Sequence, residues 1–260
     1  MTLFRHELRQ GRLSLAVWSL AIGGLIAACV FLFPEMAGEM GQMGEMFASM
    51  GALTAAFGLD RLNYGTFPGY YAIECGNILG LGGAMFAAMT ASAALAKEEK
   101  EGTAEFLLTH PASRAQVVTE KLLAVLTQII ALNLAVLLLS ALSALAIGEE
   151  VPWKELGKLH LAYLFLQLEI GGVCFGLSAF LRRGSLGAGL GIAAGAYFLD
   201  LIANLAEKAE WLHYVTPFGY TSGGDILSEG LDWPLIALGL LWGAVGTALA
   251  YCRYLRKDIR

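Results

Sequence analysis

The chain has 260 residues, of which 57% are hydrophobic and 15% are charged, and its formal net charge at pH 7 is −5. Soluble domains carry about 25% charged residues, so this composition excludes a disordered protein, a nucleic-acid-binding protein and an ordinary soluble enzyme. The 32 glycines and only 6 prolines suit close helix packing in lipid, where small residues let backbones approach each other. The sequence therefore predicts an integral membrane protein.

Six stretches are long and apolar enough to cross a bilayer. A spanning helix needs about 20 mostly apolar residues, and a helix satisfies its own backbone hydrogen bonds in hydrocarbon. The predicted spans are residues 14–33, 72–96, 122–147, 159–181, 186–205 and 234–252. We therefore expect an all-α, polytopic protein that forms a single transmembrane permease domain over residues 1–260.

The distribution of Lys and Arg predicts the orientation of these spans. With a cytoplasmic N-terminus, thirteen of the 17 basic residues fall in inner segments, namely Arg5, Arg9, Arg12, Lys97, Lys100, Arg114, Lys121, Arg182, Arg183, Arg253, Arg256, Lys257 and Arg260. Only Arg61, Lys154, Lys158 and Lys208 fall outside. This positive-inside bias favours cytoplasmic termini.

The first span is expected to stay uncleaved, because its 20-residue apolar stretch exceeds the roughly 7–15 residues of a signal-peptide core.

Two amphipathic segments flank the first span. Residues 1–13 set Leu3, Phe4 and Leu8 against arginines at helical spacing, which predicts a helix lying on the inner leaflet before the chain turns into the membrane. A solvated basic tail is the alternative. In the outer segment, apolar residues recur at steps of four and three, a pattern that predicts a second amphipathic helix: Met36, Met40, Met43, Phe47, Met50, Thr54 and Phe57.

The methionines and cysteines give little support for a metal site. Thioethers suit Cu(I), but methionine is also a flexible apolar filler, and no His or Cys lies among the five methionines of residues 36–50. The four cysteines are isolated in apolar stretches: Cys29, Cys75, Cys174 and Cys252. Packing is therefore the favoured role for both residue types, and no metal ligand is predicted.

The segment between the second and third spans carries the most informative pattern. Residues 97–121 begin as a short charged helix that ends in the apolar run 106–108, and Pro111 then interrupts it. Ser113 lies three residues before Gln116, an arrangement that caps the next helix. An apolar surface ringed by carboxylates can dock into a groove on a soluble partner. A solvated loop is the alternative.

This segment resembles the signature of the type-two ATP-binding-cassette exporter permeases. The matching residues are Glu99, Glu101, Gly102, Thr103, Glu105, Leu107, Leu108, Pro111, Ser113 and Arg114, with Lys121 following. Weaker matches are Phe33-Pro34, Thr216-Pro217-Phe218-x-Tyr220, Asp225-Ile226-Leu227 and Gly230-Leu231-Asp232-Trp233. The branch that the chain resembles holds bacitracin-type resistance permeases and the membrane subunit associated with nitrous-oxide-reductase maturation. Ala104 and His110 depart from its pattern.

The resemblance implies a subunit of an ATP-driven exporter in a prokaryotic inner membrane. Two copies of a separate ATPase, which bind ATP and Mg, would sit beneath two permease chains. The residues expected to couple this chain to the ATPase are Glu98, Glu99, Glu101, Gly102, Thr103, Glu105, Phe106, Leu107, Leu108, Pro111, Ser113 and Arg114. Close contacts between helices, including those of a homodimer, are expected at small residues such as Gly171, Gly172, Gly176, Gly187, Gly191 and Gly195.

No catalytic motif is present in the sequence. It contains no Gly-x-x-x-x-Gly-Lys-Ser/Thr loop, no Gly-x-Ser-x-Gly elbow and no His-Glu-x-x-His pair, the motifs that would indicate a phosphate site, a serine hydrolase or a zinc protease. We therefore expect no catalytic residue, cofactor or nucleic-acid partner for this chain. If ATP drives transport, a separate subunit hydrolyses it.

Three carboxylates within the predicted spans need a partner or a role. Intramembrane carboxylates are costly and often mark a transport pathway; Glu169 lies nearest the middle of its span, whereas Glu74 and Asp200 lie near span ends. They are candidates for the translocation pathway, with burial in a helix contact or an interfacial position as the alternatives. Four uncharged polar residues are expected to form interhelical hydrogen bonds: Gln128, Asn133, Gln167 and Asn204.

Two other functions remain open on the sequence. A secondary transporter driven by protons or sodium would use Glu169 and Asp200 as a relay, but no convincing repeat relates the two halves of the chain as such transporters often show. A membrane enzyme or signalling subunit would need a catalytic constellation, and none is present. The cargo is undetermined, since antibiotics, lipids, peptides and ions are all compatible with the resemblance.

Overall fold

The computed structural model describes residues 2–49, 62, 65–97, 102, 113–181 and 185–256. Across these ranges the regular structure is helical throughout and contains no strand. Six of the described helices are long and apolar enough to cross a membrane. The prediction of an all-α protein with six candidate spans is confirmed.

The helices are longer than most of the predicted spans. In chain order they are α1 (Thr2–Ser49), α2 (Phe67–Ala93), α3 (Arg114–Ala146), α4 (Trp153–Ser178), α5 (Ser185–Leu205), a 3-10 helix (Glu207–Tyr214), α6 (Gly223–Ser228) and α7 (Trp233–Arg256). Helix α2 contains a π-helical turn at Gly76–Gly80. The six candidate spans are α1 to α5 and α7.

Helix α1 is continuous where a turn was expected. Residues 13 and 14 both lie within it, and it passes through Pro34, so the predicted turn from an interfacial segment into the first span is absent. The reason is contact with α3: the backbone N–H of Phe4 donates to Glu120 at 3.0 Å, which holds the start of α1 alongside that helix. Residues 36–49 are helical as predicted, but their side chains beyond Ala37, and all of residues 50–61, lie outside the described parts.

Helix α4 is the centre of the bundle. In α4, 67% of the most apolar stretch is buried inside the protein, whereas in α5 only 17% of the corresponding stretch is buried. Helices α1, α3, α5 and α7 expose large apolar side chains on their outward faces, including Leu20, Leu134, Leu142, Phe198, Leu241 and Leu249. Such faces suit contact with lipid tails, because hydrocarbon imposes no cost on an exposed leucine.

The backbones of α4 and α7 touch through glycines. A methyl group added at Gly172 would lie 2.5 Å from the carbonyl oxygen of Gly243, and one at Gly176 would lie 2.5 Å from that of Gly246. No side chain fits at that separation, so only glycine permits this crossing. The contact places α7 directly on the central helix.

The bundle has two distinguishable ends. The Lys121 end holds the starts of α1 and α3 and the end of α7, since Phe4 contacts Glu120 and the Arg114 guanidinium donates to the Leu255 carbonyl at 3.4 Å. The Asp200 end holds the 3-10 helix and α6, together with the starts of α2, α4 and α7. Residues near both ends of the chain therefore lie at the Lys121 end.

Replacing Gly172 by alanine should destabilise the protein, because the new methyl group would overlap the backbone of α7. We expect a loss of about 1–3 kcal/mol in the free energy of unfolding, the usual cost of overpacking. Gly157→Ala is the matched control, because it lies on the same helix and has no atom within 4 Å of its added methyl group. Unfolding in detergent would measure both, and equal stabilities would contradict the packing described.

Candidate functional site

Most of the predicted coupling residues lie outside the described parts of the chain: Glu98, Glu99, Glu101, Thr103, Glu105, Phe106, Leu107, Leu108 and Pro111. Among the described ones, Gly102 has a φ of 70°, a conformation that favours glycine. Ser113 caps α3 as predicted, because its hydroxyl accepts from the backbone N–H of Gln116 at 3.2 Å. The Gln116 amide donates forward to Glu120 at 2.9 Å.

A buried lysine joins three helices where this segment attaches. The Lys121 Nζ of α3 lies 2.9 Å from the Glu7 carboxylate of α1 and donates to the Ala94 carbonyl, just after α2, at 2.7 Å. The Lys121 side chain is fully buried. A buried ammonium is tolerated only when it is paired and hydrogen-bonded, so these three residues, here called the Lys121 junction, depend on one another.

A second contact strengthens the same end. Lys97, three residues beyond Ala94, donates to the side-chain oxygen of Gln10 on α1. The junction also borders an open cavity of about 260 Å³ whose lining includes Gln10, Lys97 and Gln128. Lys97, the last described residue before the segment around Gly102, thus contacts α1 directly, next to the Lys121 junction that links α1, α2 and α3.

Glu169 is buried between α4 and α7. Its carboxylate accepts a hydrogen bond from the Tyr220 hydroxyl at 2.9 Å and packs so closely on Gly239 that any side chain there would collide with it. Only 5% of Glu169 is exposed. It is not among the residues that line the two cavities described here, so its surroundings match a helix contact.

Glu74 lies elsewhere, on the face of α2 that meets α1. It is half-buried and lies close to Cys29, while the neighbouring Tyr70 hydroxyl donates to the Cys29 carbonyl at 3.0 Å. The three predicted pathway carboxylates are therefore in three different environments. A direct relay from Glu169 to Asp200 has no contact to support it among the described residues.

Asp200 borders a large cavity at its end of the bundle. The cavity, here called the Asp200 cavity, measures about 610 Å³ and lies between α2, α4, α5, the 3-10 helix, α6 and the start of α7. Its polar lining includes Asn77, Asp200, Asn204, Glu210, His213 and Asp225, and its aromatic lining is Tyr163, Tyr197, Trp211, Tyr214 and Phe218. Its lining among the described residues contains no Lys or Arg.

Asp200 and His213 form a pair on the wall of this cavity. The His213 Nδ1 lies 3.3 Å from the Asp200 Oδ1. Contact with this carboxylate, reinforced by the charges of Glu210 and Asp225, raises the pKa of His213 above its ordinary value. The pair therefore gains or loses a positive charge as the pH passes through that raised pKa.

Of the four uncharged polar residues predicted to bond between helices, one pair does so, and the other two bond within their own helices. Asn133 donates to Gln167 across α3 and α4 at 2.6 Å, which confirms the predicted interhelical hydrogen bond for this pair. Gln128 donates within its own helix, to Ala124, and its side chain packs on Gly11 of α1. Asn204 donates within α5, to Asp200 at 3.4 Å.

Sequence reasoning missed a buried polar cluster that links α2, α3 and α4. The Tyr71 hydroxyl donates to Ser140 at 2.8 Å and lies 2.7 Å from the Nε2 of His160. All three side chains are buried. These residues lie far apart along the chain, so no local motif predicts that they meet. The one indication in the sequence is that each of the three apolar stretches contains a polar residue.

Comparison with known protein families identifies the family of this chain. A sequence model described as "ABC-2 family transporter protein" matches residues 1–259. The chain belongs to the ABC-2 transporter family. It is thus an ABC transporter permease, a transmembrane subunit of a transport system. None of the curated proteins compared with the chain matches it.

This finding confirms the predicted resemblance at the level of the family. Members of this family act as the membrane component of an ABC transporter and usually partner with an ATPase subunit, which agrees with the expectation that the permease itself is not the enzyme. The multi-pass membrane location is likewise supported by the six apolar helices.

In this ABC-2 permease, Lys121→Met should destabilise the packing of α1 on α3. Removing one partner of a buried ion pair costs about 3–5 kcal/mol, and we expect a loss at the lower end of that range because 14% of the Glu7 side chain is exposed. Glu7→Gln alone should also destabilise, whereas the double variant should lose less than the sum of the two. A double-mutant cycle of unfolding in detergent measures this coupling, and strictly additive losses would contradict the junction.

Proposed function

We propose that this permease is the membrane subunit of an ATP-driven exporter and that its Lys121 end faces the cytoplasm. The Lys121 junction carries the proposal, because it ties the end of α2, just before the segment 98–112, and the first turns of α3, just after it, to α1. The positive-inside distribution of Lys and Arg supports the orientation. We infer that the segment docks on a separate ATPase, which binds ATP and Mg and hydrolyses the ATP.

The mechanism we infer is the transmission of a displacement through two helix groups. The Lys121 junction holds α1, α2 and α3 together at one end, and the glycine contact holds α4 and α7 together. Where α3 meets α7 at the Lys121 end, the described contacts include exposed polar ones, such as Thr119 with Tyr251 at 2.8 Å. Exposed polar contacts are easily exchanged for water, so we expect α3 to shift against α7 at this end when the segment is pulled. The buried contacts of α2 and α3 with α4, such as Tyr71 with His160 and Asn133 with Gln167, hold the rest of the bundle together.

A nucleotide shifts such an equilibrium only through contacts that differ between the two states. Within the coupling segment, we assign the buried contact with the ATPase to Phe106 and Leu107, and the orienting charges to Glu99 and Glu105. The positive φ of Gly102 supports a tight turn between the charged start and the apolar end of the segment. Ser113 and Arg114 then anchor the segment to α3 and to Leu255 of α7.

We further propose a complex of two ATPase chains with two copies of this permease. The predicted glycines divide into two sets that bear on this point. Gly171, Gly172 and Gly176 already pack within the chain, whereas an added methyl group would meet no atom within 4 Å at Gly187, Gly191 or Gly195. This open face of α5 suits a second copy of the chain, since small residues let membrane helices approach closely.

The branch of the family and the type of membrane are proposed from the sequence resemblance. The match of residues 99–114 to the bacitracin-type and nitrous-oxide-reductase-maturation permeases supports that branch and a prokaryotic cytoplasmic membrane. The alternative of a proton- or sodium-coupled transporter is less well supported, because Glu169, Glu74 and Asp200 occupy separate surroundings. Of the three, we place only Asp200 on a route that cargo could use.

Replacing Phe106 by Ala together with Glu105 by Lys should weaken docking of the ATPase. Loss of an interface anchor costs about 2 kcal/mol or more, and the charge reversal adds repulsion from basic residues on the partner. We expect less co-purified ATPase and less substrate-stimulated ATP hydrolysis in reconstituted vesicles, with normal membrane insertion.

The matched control is the pair Trp153→Ala and Glu150→Lys, because both residues are exposed and lie at the other end of the bundle. This control should leave co-purification and hydrolysis at the level of the unmodified protein. Unchanged docking and hydrolysis in the Phe106 and Glu105 variant would reject the coupling segment and favour the secondary transporter.

A further inference from the structure

We propose that the Asp200 cavity binds an organic cation, which would make organic cations the cargo class of this permease. The binding site stands on the structure of the chain alone, whereas its use for transport rests on the exporter function proposed above. Three features of the cavity favour such a ligand: its size and shape, the sign of its charge and the aromatic side chains in its wall.

The size of the cavity suits a small organic molecule. Its volume of about 610 Å³ falls within the roughly 300–1,000 Å³ of pockets that hold drug-sized ligands. Part of its wall is the π-helical turn of α2, which contributes Gly76 and Asn77. A side chain at Gly76 would lie 2.9 Å from the Tyr163 hydroxyl, so glycine leaves room for Tyr163 in the wall. Single π-helical turns occur often at functional sites.

The charge of the cavity favours a cation. Three carboxylates line it, namely Asp200, Glu210 and Asp225, and its described lining contains neither Lys nor Arg. The Oδ1 of Asp200 is buried without a hydrogen bond of good geometry and meets His213 as an ion pair at 3.3 Å. A carboxylate oxygen that is buried and incompletely satisfied is costly, and a ligand with a positive charge would relieve that cost.

The aromatic residues distinguish an organic cation from a metal ion. Five aromatic side chains share the wall with the carboxylates, and aromatic faces attract organic cations through their negative quadrupole. Trp211 and Tyr214 remain 61% and 64% exposed, so they are available for contact. Among the described residues, no group of three or more His, Cys, Asp or Glu side chains could hold a metal ion.

His213 makes the binding dependent on pH in a defined direction. The groups that face it are Asp200, Glu210 and Asp225, and the Asp200 contact raises the pKa of His213. Below that pKa the imidazolium neutralises Asp200 and opposes a second cation. Above it the imidazole is neutral, so affinity for a permanently charged cation should rise as the pH increases through the pKa of His213.

Ethidium is a suitable probe because its charge does not change with pH and its fluorescence reports binding. The test uses the purified full-length permease in nanodiscs of zwitterionic lipid without nucleotide, and empty nanodiscs correct for partitioning. We expect saturable binding that tetraphenylphosphonium displaces. Asp200→Asn should weaken this binding about tenfold, as expected when a contact to a charged group worth about 1.4 kcal/mol is lost.

Two matched controls separate the cavity from the general surface. Glu229→Gln removes an exposed carboxylate outside the cavity lining and should leave the affinity unchanged. Trp211→Ala should weaken binding, whereas Trp153→Ala, which removes an equally exposed tryptophan (63% against 61%) outside the lining, should not. Equal losses in both tryptophan variants would show that these side chains act only at the lipid interface, and would overturn the proposal.

If Asp200→Asn does not fold, a second variant and the pH dependence of binding test the same site. Glu210→Gln should then weaken ethidium binding, and affinity in the unmodified protein should rise with pH but become insensitive in His213→Gln. Absence of saturable binding, or binding that ignores all of these changes, would overturn the site. Co-purification of the ATPase tests the exporter separately, so intact co-purification without ethidium binding rejects this inference alone.

Discussion

The backbone contact between α4 and α7 is the constraint on which the rest of this permease depends. Gly172 and Gly176 bring the central helix to within van der Waals distance of the Gly243 and Gly246 carbonyls. That approach closes the space around Glu169, so its carboxylate finds its partner in Tyr220. Because α4 also packs on α2 and α3, a shift of this one contact would disturb the whole bundle.

The Lys121 junction complements the glycine contact at one end of the bundle. A buried ion pair contributes little net stability, because desolvation offsets its attraction, but it strictly favours the geometry that satisfies both charges. Here it fixes α1 against α3 and the end of α2 through Glu7 and Ala94. One group of helices is therefore held by charge and the other by close packing. The two groups are also joined by buried contacts, such as Tyr71 with His160 and Asn133 with Gln167. The exposed contact of Thr119 with Tyr251 therefore leaves room for motion only where α3 meets α7.

The features that sequence predicts here are the local ones. Runs of apolar residues predict the six helices because only long apolar helices fit the bilayer. Ser113 predicts the start of α3 because its hydroxyl satisfies a backbone group three residues away. The continuity of α1 was missed, since it depends on Phe4 and Glu7 reaching residues more than a hundred positions along the chain.

The site was harder to predict for the same reason. In sequence, Glu74, Glu169 and Asp200 look alike as carboxylates in apolar stretches, and only packing shows that one meets Cys29, one Tyr220 and one an open cavity. The wall of the Asp200 cavity draws residues from six helical elements and from the loops between them, so no local sequence pattern indicates it. Sequence spacing likewise does not distinguish Gly176, which packs against the backbone of α7, from Gly191, where an added methyl group would meet no atom within 4 Å.

We propose that ATP on a partner subunit moves the start of α3 against the end of α7, at the Lys121 end of the bundle. The most direct measurement is the distance between spin labels at Thr119 on α3 and Leu255 on α7, in the purified complex of permease and ATPase. We expect the distance distribution to shift when a non-hydrolysed ATP analogue is added, and the shift to be lost in Lys121→Met. A distribution that stays the same with and without the nucleotide would contradict the claim.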